Sequence, residues 1–477
     1  MNNAFLISLI CLLWSLPLAA QEQWSLERCI KYAMDNSISV KQSALNVANS
    51  ELTDAQNKSD RLPNLNASGS YGLNLGRSIN PYTNAFETRT SQYNSLGLNS
   101  GVTVYNGGRI RNSILQGQHD LSAARYDLQQ TTENIALLVA QAYLSILLSE
   151  EQLGNAQRQL DDSNAQLQRT EKLIAAGSLP AANRSDLLSQ VALDEQRVVE
   201  AQNSLDANYL NLKQLLQIDT DVPFEIERPQ IALPTNEGAG VSMSSVFATA
   251  RNRQPSILAG EERVKSAEIG VDIARAAKLP TVSFGLGLST NYSDVARNAN
   301  LVSAETTYNP ISIIRQDGST ELIQFPSYST VFSYSKIPYF EQIWNNLGGG
   351  VQLNVNVPIF DRNNAKIATQ RARLNATNAA LSLRQAEQDL RTDVQRAVAD
   401  VRAADKQLAA SIKTQAAAKM AFQNAEKRYQ LGAGSFFDYS IAKNSLANAE
   451  SSVLVARYDY IFKLKILDFY QGKPLRL

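Results

Sequence analysis

Between Asn363 and Leu431 the chain contains neither glycine nor proline. Ala, Gln, Arg and Leu fill most of that run, and all four are strong helix formers. One continuous helix of this length spans roughly 100 Å at 1.5 Å per residue. No compact domain holds such an element, so a helix this long implies a coiled coil. Arg109 to Ala176 matches it in length, weakened only at Gly117 and Gly154. Apolar residues recur at sevens: Ile146, Leu153, Leu160, Leu167 and Ile174; Val191, Val198, Leu205 and Leu212; Leu446, Val453, Tyr460 and Leu467. Leu121, Leu128, Ile135 and Ala142 follow the same repeat four residues out of phase, a stutter that locally relaxes the supercoil.

The two long runs belong to an internal duplication. Arg61-Leu62-Pro63 matches Lys278-Leu279-Pro280. Val104-Tyr105-Asn106-Gly107-Gly108 matches Ile359-Phe360-Asp361-Arg362-Asn363 in position, and Lys172 to Gly177 matches Lys427 to Gly432 at the same offset. Repetition at a fixed offset is the mark of a repeat architecture. The expected division is a signal peptide at 1–20, a first repeat at 21–222, a connector at 223–241 and a second repeat at 242–477. The second repeat carries an extra stretch, 294–345. Each half reads as helix, strand, loop, strand, long helix, turn, helix.

The strands show period-two alternation. Leu65, Ala67, Gly69, Tyr71, Leu73 and Leu75 alternate with Asn66, Ser68, Ser70, Gly72 and Asn74. Leu96 to Val104, Val282 to Leu288 and Val351 to Ile359 repeat the pattern. One face of each strand is therefore apolar and the other polar. A soluble sheet packed on a core would alternate in the same way. Two details favour a membrane barrel: strands of about ten residues, the length that crosses a tilted bilayer span, and polar faces made of Ser, Asn, Gly and Thr rather than charged residues. Arg77 to Tyr93 reads as the loop between the first two strands, and Asp317-Gly318 as a hairpin turn between two short strands in 311–325.

Composition removes other function classes. Lys plus Arg is 45 and Asp plus Glu is 45, so there is no basic footprint and nucleic acid is not an expected partner. One His and four Met give little material for a metal or acid–base site, and no cofactor is expected. No nucleophile motif or phosphate loop is present, so the chain does not read as an enzyme. Phe5 to Leu18 is apolar and precedes Ala19-Ala20-Gln21, the shape of a secretory signal peptide without its usual basic start. The remainder has no continuous apolar run long enough for a spanning helix, so membrane entry would need a β-barrel. Its single remaining cysteine, Cys29, lies among apolar neighbours and reads as a packed core residue.

Four strands leave two open edges, each costly in lipid. Several chains must therefore share one barrel. Two copies give eight strands, which side chains fill; three give twelve and leave room for a bore; arithmetic does not exclude four.

Together the duplication, Val357-Pro358-Ile359-Phe360-Asp361, Val104-Tyr105-Asn106-Gly107-Gly108 and the tips Lys172–Ser178 and Lys427–Asp438 resemble the TolC-like outer-membrane efflux proteins. The resemblance implies a homotrimer in the outer membrane, reaching into the periplasm. It implies an α+β membrane protein: a trimeric 12-stranded β-barrel, four strands per chain, continuous with a long α-helical coiled-coil barrel. It further implies outer-membrane lipid around the barrel, a periplasmic adaptor (membrane fusion) protein at the helix tips and an inner-membrane pump behind it. The implied activity is a passive exit duct for efflux or type I secretion. A trimeric stalk without transport is the alternative.

At the tips, Gly177 and Gly432 would supply the left-handed residue that ends a helix. Ser178 and Ser435 would cap the returning helices, with Pro180 in a first turn. With Gly434, these residues are the expected adaptor contacts. The resemblance maps the entrance constriction onto Asp438 and Tyr429. It maps the tyrosine's acidic partner onto Asn183, the linking arginine onto Gly434 and a second acidic position onto Ile441, all departures from the family pattern. Asp186 could supply charge nearby, or be a solvated residue. The stretch 294–345 becomes the long extracellular loop, either a lid at the outer mouth or a surface loop without a transport role. Tyr71, Tyr93, Tyr105, Phe284, Tyr292 and Phe360 are candidates for interfacial girdles.

Overall fold

The structure, a computed structural model, describes residues 23–80, 82, 84–229 and 242–474. The expected signal peptide and most of the connector (residues 230–241) lie outside the described residues. The chain divides into a helical unit (residues up to 54, 115–269 and from 372) and a sheet unit (55–114 and 270–371).

Nine helices are described: α1 (Leu26–Asn36), α2 (Ile38–Ser59), α3 (Arg109–Ala175), α4 (Ala182–Leu216), α5 (Met243–Arg251), α6 (Pro255–Ala276), α7 (Tyr339–Asn345), α8 (Asn364–Gln430) and α9 (Phe436–Tyr470). Helices α3 and α8 are each 67 residues, and α4 and α9 are each 35, so the duplication is preserved in length. The six strands are β1 (Asn64–Ile79), β2 (Phe86–Asn106), β3 (Thr281–Ser293), β4 (Arg297–Ile314), β5 (Thr320–Lys336) and β6 (Gly348–Asn356).

The helical unit has two cores, one per repeat. In the first, Cys29 and Ala33 of α1 pack on Val139, Tyr143 and Ile146 of α3 and on Leu212 and Leu216 of α4. Trp24 and Ile226 close this core as an isolated bridge, and the Tyr143 hydroxyl donates to the carbonyls of Trp24 and Glu227. In the second, Val246 and Ala250 of α5 meet Ile257 of α6, Val394, Val398 and Val401 of α8, and Tyr460 and Leu467 of α9. Each Leu or Ile so buried contributes roughly 1.5–3 kcal/mol. Cys29 is fully buried, and burial pushes its thiol up to about 12 against the opposing effect of Arg28. The first core also explains a departure from expectation. Helix α3 does contain one stretch apolar enough by length and composition to cross a membrane. Much of its apolar content is Val139, Ala140, Ala142, Tyr143, Ile146 and Leu147, all buried in that core.

Within the helical unit, α2, α3, α6 and α8 adjoin in that order. Arg125 of α3 pairs with Glu51 of α2 at 2.9 Å, His119 of α3 with Glu262 of α6 at 2.6 Å, and Gly260 of α6 packs closely on the Leu383 side chain of α8. The array has two free outer helices. On α2 the half-buried positions facing inward include Val40, Ser43, Val47 and Ser50, while Ile38, Leu45 and Leu52, seven apart, are 57%, 69% and 71% exposed. On α8 the inward seam includes Thr369, Ala372, Ala376 and Ala379, while Leu374 and Leu381 stand exposed.

In the sheet unit, β1, β2, β3 and β6 form one antiparallel sheet in that order, with β1 and β6 at its open edges. The register places Ala67, Leu98 and Leu288 side by side, as it does Val102, Phe284 and Leu353. The opposite face carries Asn66, Asn99 and Gly287, and Thr103, Ser283 and Asn354. The alternation expected from sequence is thus one apolar and one small polar face of a shared sheet, with a bulge at Val104 between Thr103 and Tyr105.

Two expectations are corrected. The first two strands are 16 and 21 residues rather than about ten, and pairing continues from Arg77↔Thr88 to Ile79↔Phe86. The expected loop Arg77 to Tyr93 therefore shrinks to 80–85. Thr88 and Thr90 are β-branched and suit a strand, and Tyr93 lies directly over Gly72, where a side chain would collide with its ring. The extra stretch 294–345 is equally ordered. The hairpin turn is at Gly318, as its Asp-Gly signal implies, but the ladder runs from Arg297↔Lys336 to Ile314↔Thr320, far beyond 311–325. Helix α7 follows it, with Gln342 buried.

The strand-to-helix junctions repeat closely. Gly107 and Gly108 have φ of 68° and 83°; the matching Arg362 and Asn363 have 60° and 64°. The Asn106 side chain accepts from the N–H of Ile110 at 3.3 Å, and the matching Asp361 from that of Ala365 at 2.6 Å. Only the first repeat uses glycine for this left-handed pair. Gly107 also abuts Leu279, so it could bear no side chain.

Candidate functional site: the helix tips

The residues expected at the entrance lie where α3 turns into α4 and α8 into α9. Both long helices end in the same way. Gly177 (φ 74°) donates to Ile174 at 2.9 Å, and Ser178 donates to Leu173 at 2.9 Å. Gly432 (φ 72°) donates to Tyr429 at 3.1 Å, and Ala433 to Arg428 at 2.9 Å. These paired bonds satisfy the last carbonyls of each helix around a left-handed glycine.

The returning helices start differently. Ser435 caps α9, its Oγ accepting from the N–H of Asp438 at 3.1 Å. Ser178 does not cap α4, which begins at Ala182 after Ala181 with no side-chain cap. Pro180 accordingly lies before the helix, its carbonyl accepting from Asn183 at 3.2 Å. The reason is the link itself: residues 176–181 separate α3 from α4, one residue more than the 431–435 that separate α8 from α9. More decisive is the serine's place in the link: Ser178 follows Gly177 directly and lies four residues before Ala182, whereas Ser435 comes three residues after Gly432 and directly before Phe436, within reach of the free N–H groups.

Tyr429 is buried near the end of α8. Burial raises its hydroxyl above the usual tyrosine value; the charge of Asp186 adds to this, while the side chains of Thr170 and Asn183 work against it. The hydroxyl makes no well-aligned hydrogen bond, and neither does the Thr170 hydroxyl. The structure thus brings together Tyr429, Asn183 and Asp186, three of the four residues expected at the entrance, around one buried phenol. Asp438 is placed apart from them. It is half exposed, 3.6 Å from Arg428, which partly neutralises it within the same chain. Gly434 packs so closely on Arg428 and the backbone of Tyr429 that an added Cβ would sit 3.2 Å from each. A linking arginine at 434 would require this turn to move.

Sequence reasoning missed two features here. Tyr429 stacks on Tyr439 at 5.2 Å, and Phe436 and Phe422 complete an aromatic cluster at 6.0 and 5.7 Å from the Tyr439 ring. The only sequence signal was the density of Phe436-Phe437-Asp438-Tyr439. Further along α9, Lys443 is buried and donates to fully buried Asp194 of α4 at 3.0 Å, to Ser163 of α3 and to the carbonyl of Gln159 at 3.1 Å. Gln190 and Arg197 also donate to Asp194, at 3.1 and 3.0 Å. This network pins three helices together through one carboxylate. In the sequence each member looks like an ordinary solvated helix residue.

The long paired helices, the duplicated tips and the open-edged amphipathic sheet have counterparts among known proteins. The sequence profile described as "Outer membrane efflux protein" matches residues 29–216 and 246–472. The cation efflux system protein CusC of Escherichia coli O157:H7 is 22% identical over 450 residues, covering 90% of this chain and 82% of that one. The pyoverdine export outer membrane protein OpmQ of Pseudomonas putida is 23% identical over 368 residues, covering 76% and 67%. The crystal structure of the outer membrane protein VceC from Vibrio cholerae superposes with a TM-score of 0.73 over 94% of this chain and 96% of that one, at 17% identity. The chain therefore belongs to the outer membrane efflux protein family, transport proteins and not enzymes, and is an outer-membrane efflux channel with the TolC-like fold.

Proposed function

We propose that three copies of this chain close one twelve-stranded barrel and one helical tunnel. Together they form a passive exit duct, driven by an inner-membrane pump through a periplasmic adaptor. The observation that carries this reading is the sheet: four strands with β1 and β6 unpaired, and an apolar face on which Leu353 and Val351 are 64% and 69% exposed. The open edges are costly in lipid without closure, and the apolar face is costly in water but suited to lipid. The exposed leucines on the two free helices of the helical array, Leu45 and Leu52 on α2 and Leu374 and Leu381 on α8, supply lateral contacts for neighbouring copies.

In this reading Gly177, Ser178, Gly432, Gly434 and Ser435 meet the adaptor. Asp438, Tyr429, Asn183 and Asp186 control the entrance. The missing acidic partner at Asn183 makes the Tyr429 contact a weak latch, and the Arg428–Asp438 pair dilutes the acidic ring. Both point to an entrance held shut by packing of the Tyr429–Tyr439 cluster more than by ion pairs. Two relatives of similar identity are named for cation efflux and for pyoverdine export, so likeness does not assign the cargo. Among the described residues no cluster of three or more His, Cys, Asp or Glu could hold a metal ion.

The test is conductance of the purified protein in planar bilayers. The reading expects a small basal conductance, increased by Tyr429→Ala, and a cation preference that Asp438→Asn weakens. A protein that inserts but conducts nothing, in wild type and in Tyr429→Ala alike, contradicts it.

A further inference from the structure

Among the described residues the hairpin β4–β5 has no partner that covers its apolar side chains. Its 18-residue strand β4 is about 60 Å long at 3.4 Å per residue. An isolated two-stranded hairpin is marginal in water; three strands or a packed face are needed. One side of the ladder is nonetheless rich in large apolar residues, interrupted by Thr306, Ser312, Gln324 and Thr330. Leu301, Tyr308, Leu322, Tyr328, Phe332 and Tyr334 share that face by register and are all exposed. The opposite face carries Asn300, Thr307, Ser327, Ser329 and Ser333 in its lower two thirds. This is the same division into apolar and small polar faces as in the four-stranded sheet. Towards the turn, Ile311, Ile313, Ile323 and Phe325 make the second face apolar as well.

The hairpin's place in the sheet unit limits what can cover it. Helices α3, α6 and α8 join the sheet at the ends of β2, β3 and β6 nearest Asn106, Thr281 and Asn356. The hairpin leaves the other end of β3, one strand from the open edge β6. Its base is fixed there: Arg297 N–H donates to the Tyr82 hydroxyl at 2.7 Å, Tyr82 and Tyr334 rings lie 5.3 Å apart, and Asp294 accepts from Gln92 at 2.9 Å. The base thus lies against β2 and the turn after β1, while β6, the edge a neighbouring copy must pair to close the barrel, is paired with β3 only as far as Ser289. Charge agrees with a self-contact. Residues 297–336 hold three cations (Arg297, Arg315, Lys336) and three anions (Glu305, Asp317, Glu321), and no charge lies between Glu321 and Lys336. Copies do not repel, and nothing steers a charged partner. Pro310 and Pro326 each lack an N–H donor, which suits free edges and disfavours strand addition along the ladder. Packing through the faces remains.

We infer that the apolar faces of the three hairpins pack on one another, forming a collar of this chain's own strands beyond the outer end of the barrel. The inference rests on the three-copy reading above. It goes past a loop lying over the mouth, because it assigns the face in contact and the partner.

The test uses the full-length assembled protein with Cys29→Ala, treated with a short bis-maleimide. Tyr328→Cys and Phe332→Cys, on the apolar face, should cross-link chains in pairs. Ser329→Cys and Ser333→Cys, on the polar face, should not. Intact three-copy assemblies with no cross-link at either apolar position overturn the collar and leave the channel reading standing. Equal cross-linking on both faces also overturns it. A preparation that is monomeric throughout overturns both readings. Replacing residues 298–335 by a short turn is the second arm: it should leave the assembly formed but lower its dissociation temperature, and an unchanged temperature counts against the collar.

Discussion

The helical unit builds two apolar cores within one chain, with Leu45, Leu52, Leu374 and Leu381 left exposed at its surface, whereas the apolar face of the sheet unit is largely exposed. Tyr143, Ile146, Leu212, Val394, Val401 and Leu467 are essentially inaccessible in the first. Leu73, Leu75, Leu286, Val351, Leu353 and Val355 are 48% to 77% exposed in the second. The difference lies in geometry. A helix can turn its apolar stripe towards a helix of the same chain, whereas four strands always leave two edges and one broad face. The helical unit can therefore fold on its own contacts, and the sheet unit depends on neighbours and lipid.

That contrast can be broken at its strongest point in the helical unit. Lys443→Met leaves Asp194 buried with only Arg197 to compensate it. Loss of one partner of a buried pair costs about 3–5 kcal/mol. Urea unfolding followed by helical circular dichroism should show a loss of this size, and Lys443→Met with Asp194→Leu should recover much of it. An unchanged midpoint in the single variant would mean that the network does not hold these helices.

In the sheet unit the matching experiment is Leu353→Arg. A charge on a lipid-facing strand near mid-bilayer costs about 2–4 kcal/mol. Assembly into liposomes should fall while helical unfolding stays unchanged. If both fall together, the two units are not energetically separate.

Alkaline pH sharpens the same division. Burial raises the hydroxyls of Tyr143, Tyr209, Tyr439 and Tyr458 in the helical unit above the ordinary value of 10.0. The folded state then holds protons that the unfolded state has lost, as it does at the buried Cys29 thiol, raised from 9.0 to about 12, so stability falls as pH rises from about 9 upward and is untouched by these groups below it. A pH series of urea midpoints should be flat up to about 9 and decline beyond. A decline starting near neutrality would need another titrating group.

The smallest effect separates the two tips. Ser435→Ala removes a cap and should cost about 1 kcal/mol, whereas Ser178→Ala, which removes none, should cost little. Equal losses would place both serines in capping roles.

How much was legible in the sequence follows the same line. Helix extents, the duplication, the left-handed glycines and the alternating faces depend on local pattern, and the structure holds them nearly residue for residue. Strand ends were not legible: Thr88, Thr90 and Tyr93 look like loop residues until Gly72 and Arg77 are set opposite them. Ser178 and Ser435 both follow a helix-ending glycine, but at one and three residues' distance, and only the observed helix starts at Ala182 and Phe436 separate their roles. Lys443 and Asp194 could not have been found, because their burial comes from three helices meeting and each lies 249 positions from the other. The aromatic cluster around Tyr439 was half visible as a run of rings, without any sign of which ring Tyr429 would stack on.

The central claim is that the sheet is one third of a barrel. End-on electron microscopy of the detergent-extracted protein tests it most directly. The account predicts a three-fold ring with a continuous bore. A monomer, or a solid rod with no bore, would contradict it.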